Sequence, residues 1–252
     1  MVQRKQGRRS AEEAEKTKLM ILSSAAFLFC EKGYNQVSVR DISERAGVTH
    51  SLIRHYFGSK VQIWRAIIDK MHDYVDIYGK GLEEYIEVDV ADKSFIYHYL
   101  CHFMAYMLRC PQLCQIMLDY IHHPDNGAQD DGEYSPHIQS VVERAYDNIP
   151  DVIARLSNNP NLTMWRFLTH AGGAVAFKPF MTAAWPGKTY QQGLLEHWRL
   201  YEQEIAREYD IAQSQRLIAS SIDELVIDVE CHDADLQKIY QQQLELLKQD
   251  RQ

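Results

Sequence analysis

The sequence has no long hydrophobic run: its longest low-polarity stretch, Leu19 to Cys30, is twelve residues, and a membrane-spanning helix needs about 20. No membrane segment is therefore expected. Glycine and proline together make up only 19 of the 252 residues, which excludes collagen-like and low-complexity chains. Cysteine is scarce too. The five present (Cys30, Cys101, Cys110, Cys114, Cys231) are an odd number in apolar contexts, and a chain of this length needs no disulfide framework. Alternating β-branched runs are few. The one Asn-Gly pair, Asn126-Gly127, lies in a polar, turn-rich stretch from Pro124 to Glu133 rather than between two strand-like segments, so hairpins are not expected. Catalytic signatures are missing as well: there is no Gly-rich phosphate loop, no Gly-x-Ser-x-Gly and no His-Glu-x-x-His, and an enzyme is not the expected reading. The basic start followed by residues 19–30 has the outline of a signal peptide. However, Glu12, Glu13 and Glu15 interrupt it and no small-x-small cleavage pattern follows, so the expectation is a cytoplasmic protein with reduced thiols.

What is present is 46% hydrophobic and 25% charged residues, enough for one large domain or two small ones around real cores. Apolar residues recur at three- and four-residue steps nearly everywhere, which predicts an all-α protein. Helical patterns cover roughly 11–32, 38–45, 49–56, 59–79, 92–109, 111–123, 135–157, 161–185, 190–214 and 234–249. The charge is divided unevenly. Residues 1–60 hold eleven Lys/Arg against six Asp/Glu, a net of +5, and subtracting this from the total of −8 leaves −13 for the rest. A basic head on an acidic body suits a head that meets phosphates.

Ser38-x-x-Asp41 is a capping pattern ahead of the stripe Val39, Ile42, Ala46, and Gly47 follows as a stop. Thr49 then caps a second short segment, and Ser59-x-x-Gln62 opens a longer one. Two helices of about seven residues cannot stand alone and must be held by neighbours. A helix-turn-helix uses such a pair, the first helix bracing while the start of the second enters the major groove. Thr49, His50 and Ser51 become base-edge candidates, and Arg54, His55 and Lys60 fall where phosphates would lie. The tail Met1–Ser10, with four positive charges, is read either as simply disordered or as a flexible arm laid along phosphates or into a minor groove.

Residues Ile21–Tyr34, Ser38-Val39-Arg40-Asp41-Ile42, Ala46-Gly47-Val48-Thr49 and His55-Tyr56-Phe57-Gly58-Ser59-Lys60 resemble the N-terminal region of the TetR (tetracycline-repressor-like) family over about residues 17–70. The resemblance implies a three-helix DNA-binding head, a linking helix, a larger helical domain for effector binding and dimerisation, and a homodimer on a palindromic operator. It implies a partition into a basic flexible tail (1–10), a helix-turn-helix domain (11–58), a linking helix (59–79) and an effector-binding and dimerisation domain (80–252). It also implies that Thr49, His50 and Ser51 read bases while Arg40, Tyr56 and Lys60 lie near the backbone, and Ser38 at the cap is counted with them. Arg54 replaces a tyrosine common in the family. Phe27 stands where the family is usually polar, and it is expected to pack on the basic tail or the linking helix.

In the body, Phe95 to Leu108 is apolar almost all round, the mark of a buried central helix. Its aromatic face, Phe95, Tyr99, Phe103 and Met107, reads first as core; with Met117, Trp165 and Phe177 it is also the candidate lining for a small apolar effector. Gly172 and Gly173 weaken a helix unless close packing compensates. Together with Leu194, Trp198, Tyr201 and Ile205 they are the dimer-interface candidates, on the two late helices where the resemblance places a four-helix bundle. His98, Cys101 and His102 at one-turn spacing, Cys110 and Cys114, and His122-His123 could ligate zinc or copper. No Cys-x-x-Cys pair accompanies them, and no metal or cofactor is assigned. Residues 215–252 run past the usual end of the family pattern, with Leu236, Ile239, Tyr240 and Leu247 suggesting one more amphipathic helix.

The expected function is thus a ligand-responsive transcriptional repressor, released from a palindromic operator on double-stranded DNA by a small apolar effector. The alternatives are a helical dimer whose head binds a protein, and a metal- or redox-sensing regulator.

Overall fold

The computed structural model describes residues 4–90, 92–121, 136–147 and 150–228, and among these there is no strand. They fall into two compact units, one up to Tyr74 and the other from Val75 onward.

The first unit contains α1 (Arg4–Lys32), α2 (Val39–Ala46), α3 (His50–Phe57) and the start of α4 (Lys60–Tyr85), with a 3-10 turn at Tyr34–Gln36. Ile21, Ala25, Phe29, Val37, Ile42, Ile53, Ile63 and Trp64 are buried, and Ile42 with Ala46 brings the predicted stripe of α2 inward. α1 starts at Arg4, so the tail read as 1–10 is helical from that point. Arg, Lys, Gln, Ala and Glu, all good helix formers, make up most of residues 4–16.

The second unit holds the rest of α4 with α5 (Lys93–Arg109), α6 (Pro111–Ile121), α7 (Pro136–Asp147), α8 (Asp151–Leu156), α9 (Pro160–Ala176), α10 (Lys178–Ala184) and α11 (Tyr190–Glu208). α5 is its centre: Phe95–Tyr97, Tyr99–Cys101, and Phe103–Leu108 are all buried, and it packs against α9 and α11.

Several further boundaries differ from expectation. The helix expected over 135–157 occurs as α7 and α8, with Pro150 non-helical (φ −48°, ψ 135°) at the start of α8, because proline lacks the N–H that a continuous helix would need there. α4 continues past residue 79 because Tyr78 and Leu82 are buried on either side of Gly79 and Gly81, and that burial outweighs the two glycines. The single helix expected over 161–185 is interrupted at Phe177 (φ −109°, ψ 27°). Pro179, which cannot donate to a carbonyl four residues back, instead begins α10. α11 stops at Glu208 rather than 214. Asp210 takes a left-handed conformation (φ 56°), letting Ile211 N–H reach Ala206 O at 2.8 Å and closing the helix as a glycine usually does.

Beyond α11, residues 211–228 form a strap with two 3-10 turns. Tyr97 Oη donates to Glu202 Oε1 (2.6 Å) and accepts from Leu217 N–H (2.7 Å). Arg216 Nε reaches the same carboxylate at 2.8 Å, Arg109 pairs with Asp223 at 2.8 Å, and Ala219, Ile222 and Leu225 are buried. The helix expected over 234–249, the loop 124–133, His122, His123 and Cys231 lie outside the described residues.

Candidate nucleic-acid interface

The two short helices are placed by their caps. Ser38 Oγ accepts from Asp41 N–H at 3.1 Å, and Asp41 Oδ2 accepts from Ser38 N–H at 2.7 Å and from Ser38 Oγ at 2.6 Å. These bonds hold the Asp41 carboxyl below its usual range. Gly47 ends α2 in the left-handed region (φ 65°), with Val48 N–H bonded to Ser43 O at 3.1 Å. This is the sharp turn that a residue bearing Cβ would strain. Two residues on, Thr49 caps α3 by accepting from Leu52 N–H at 3.3 Å, and its hydroxyl also lies 3.0 Å from Ser51 Oγ.

Ile53 is the buried anchor of α3, so the helix presents its opposite side to solvent. Thr49, His50, Ser51, Arg54 and His55 are exposed and Tyr56 is half-buried, its ring 5.3 Å from that of His55. On α2, Arg40 is exposed and pairs with Glu44 at 2.9 Å; Ser38 is exposed at its cap. These predicted residues therefore occur together on two adjoining short helices, with Thr49, His50 and Ser51 at the start of α3 exposed.

Lys60 behaves otherwise. Its Nζ donates to Tyr34 O and Val37 O, both at 2.9 Å, and sits 4.0 Å over the Tyr34 ring, while Tyr34 stacks on Trp64 at 3.9 Å. Burial pushes its pKa down. Of the ammonium's three protons, two are held by the loop between α1 and α2, so Lys60 is first a staple of the head and only secondarily a free cation. Phe27 is also corrected: it packs under the Arg45 guanidinium at 3.4 Å, on α2 rather than on the tail or linking helix. Arg45, exposed beside the turn, is a cation that sequence reasoning passed over; the unusual Phe27 was the available signal.

The other candidates separate in the second unit. Phe95, Tyr99, Phe103 and Met107 are buried on α5 and Met117 is half-buried on α6. Phe103 stacks on Phe167 at 4.9 Å, and Tyr78 on Tyr106 at 3.8 Å. Trp165 and Phe177 are 58% and 61% exposed, so they do not line an interior: both occur on the outward side of α9 or at its end. The dimer candidates divide the opposite way. Leu194, Trp198, Tyr201 and Ile205 are buried within their own unit, and Trp198 Nε1–H donates to Cys101 O at 2.9 Å. Side chains enclosed against α5 cannot meet a second subunit. Gly172 and Gly173 keep open space where a Cβ would stand; with the exposed Leu162, Trp165, Leu168 and Leu200 they belong to the outer side of α9 and α11.

Cys101, Cys110 and Cys114 are free and buried. Burial pushes the Cys110 and Cys114 thiols up to about 12, away from the thiolate that metals and oxidants require. Among the described residues no three His, Cys, Asp or Glu side chains gather in metal-binding geometry, and no helix is long and apolar enough to cross a membrane.

Comparison with known proteins agrees with this geometry. The family model described as bacterial regulatory proteins, tetR family, matches residues 21–67, the span from α1 into α4. The chain is 34% identical over 82 residues to the HTH-type transcriptional regulator TtgR of Pseudomonas putida, a match covering 32% of this chain and 39% of TtgR. It is 21% identical over 153 residues to the HTH-type transcriptional activator FasR of Mycolicibacterium smegmatis, covering 60% of this chain and 64% of FasR. The chain thus spans less than two thirds of the length of either relative. In fold it is similar to SmeT in its triclosan complex, at 16% identity and a TM-score of 0.53, over 82% of this chain and 97% of that one. The relatives are named as transcriptional regulators, not as enzymes. Over residues 21–67, the chain thus matches the N-terminal domain model of the tetR family of bacterial regulatory proteins.

Proposed function

We propose that the protein is a homodimeric, DNA-binding transcriptional regulator, with α3 as the reading helix and a small apolar effector bound around α5 as the input. The carrying observation is the exposed first turn of α3, where His50 and Ser51 project from a helix anchored by Ile53 and capped by Thr49. In a dimer on a palindromic operator, two such turns would enter successive major grooves about 34–36 Å apart. Arg40, Arg45 and Arg54 would meet phosphates, in keeping with the +5 charge of the head.

The effector reading is supported by the aromatic neighbourhood of α5 and by the Tyr99 and Tyr201 hydroxyls, which are buried without a hydrogen-bond partner and so can give an apolar guest a polar contact. SmeT, whose fold this chain shares, is described in complex with triclosan. Effector binding would bias the dimer between a state whose reading helices match the operator and one whose helices do not; about 1–3 kcal/mol of coupling suffices for a 5- to 150-fold change in affinity. Repression is the simplest output.

The test is binding to DNA from upstream of the protein's own coding region, across a salt series. His50→Ala and Ser51→Ala should relax base preference, whereas Arg54→Ala should weaken binding to all sequences alike and reduce the salt slope by about one. If the two classes of variant behave identically, α3 is not the reading helix. A salt-insensitive or absent complex would favour a head that binds protein.

A further inference from the structure

His98, Cys101 and His102 form a one-turn cluster in the sequence, and the structure divides it. Cys101 is enclosed on the α11 side of α5, its carbonyl taken by Trp198 and its thiol pushed well up by burial. His98 and His102 remain as a pair, their rings 6.2 Å apart and inclined by only 20°, with the Tyr85 ring edge-on to His102 at 6.0 Å.

His102 Nδ1 lies 2.7 Å from the carbonyl oxygen of Leu225 on the strap. A carbonyl only accepts, so Nδ1 carries the proton and Nε2 keeps its lone pair. A backbone carbonyl fixing one ring nitrogen so that the other is free is the usual support of a metal-binding histidine. His98 is half-buried, and burial together with the neighbouring ring holds its pKa below the ordinary value. Both rings are therefore neutral near pH 7. With Zn–N bonds of about 2.0–2.1 Å, two imidazoles sharing an ion have ring centres roughly 5–6 Å apart. The observed 6.2 Å is slightly wider than that, so the half-exposed His98 would have to turn about its side-chain bonds to share an ion with His102.

We infer that His98 and His102 form a two-histidine site for a borderline divalent transition metal such as zinc, nickel or copper, and that its occupancy tightens the strap at Leu225. Imidazole nitrogens suit these metals. No third protein ligand gathers with them among the described residues, so water completes the coordination. A metal on Nε2 makes the Nδ1–H more acidic and its bond to Leu225 O stronger. The strap, pinned also by Tyr97–Leu217 and Arg109–Asp223, then opens less often. The inference concerns the second unit alone and stands apart from DNA recognition.

The test titrates the full chain with zinc chloride by calorimetry and follows amide hydrogen exchange over residues 217–227. Zinc should bind and slow exchange there, and His98→Ala, at a half-exposed position, should weaken binding about tenfold or more and abolish the slowing. His197→Ala, in another close histidine pair (His170–His197, 5.4 Å between rings), should change neither. Equal zinc affinity in the wild type and His98→Ala means an adventitious ion only and overturns the site. Binding that requires His98 but leaves strap exchange unchanged overturns the coupling.

Discussion

Thr49 has two duties that compete. Its hydroxyl accepts from Leu52 N–H and lies beside Ser51 Oγ, so the group that would contact a base is already occupied in capping α3. Replacing an N-cap threonine with alanine costs about 0.5–2 kcal/mol. Thr49→Ala is therefore expected to lower the melting temperature of the head measurably and weaken DNA binding on every sequence, while Thr49→Ser keeps the cap. An alanine variant with wild-type stability and altered base preference would mean that the hydroxyl reads DNA instead. Capping was legible in the sequence because it rests on local spacing. The role of Lys60 was not, since its partners Tyr34 and Val37 are 26 and 23 residues away. Another residue-scale contact lies in the second unit, where a Cβ on Gly79 would come within 2.7 Å of Tyr99 Oη. Overpacking costs about 1–3 kcal/mol, against the ~1 kcal/mol that alanine gains over glycine within a helix. Gly79→Ala should be destabilising on its own and neutral to stabilising in a Tyr99→Phe background. Additive effects in that double-mutant cycle would show that the hydroxyl does not set the glycine.

At the scale of elements, the sequence yields α2, α3 and α5 almost to the residue, because each combines a strong apolar stripe with a polar cap. It fails where tertiary burial overrides local preference. Buried Tyr78 and Leu82 carry α4 through two glycines, and the turn at Asp210 ends α11 although helical spacing continues. The interface candidates on α11 failed for a related reason: a stripe at Leu194, Trp198, Tyr201 and Ile205 says that one face is covered, not by what, and α5 covers it. Packing between elements also sets a pH response. His98 and His102 on α5 and His170 on α9 are all held below the ordinary 6.5, chiefly by burial. The unfolded chain thus takes up protons at these positions before the folded one does, and their contribution is full above pH 6.5 and lost as pH falls below it. Melting temperature should decline between about pH 7 and about pH 5, with the decline shallower in His102→Gln. A profile flat across that window would mean that these rings protonate freely in the folded state.

On the scale of the whole molecule, charge and apolar surface are separated. The cationic first 60 residues fit a polyanion, whereas the acidic remainder exposes Trp165 and Leu168 on α9, which also carries Gly172 and Gly173, and Leu200 on α11. On the proposed dimeric reading, the large exposed aromatic and aliphatic groups of α9 and α11, with two glycines on α9, suit the close approach of a second copy, and a single reading helix would recognise only half of a palindrome. Trp165→Glu combined with Leu200→Glu should therefore yield a folded monomer in sedimentation and lose operator affinity, since each protomer then binds alone. Leu194→Ala is the contrasting change. Buried against its own unit, it should cost about 2–5 kcal/mol of stability while the surviving folded protein keeps the wild-type sedimentation mass. If Leu194→Ala dissociates the protein and the double glutamate variant does not, the subunit seam lies on the stripe the sequence first suggested, and the inward orientation of α11 is wrong.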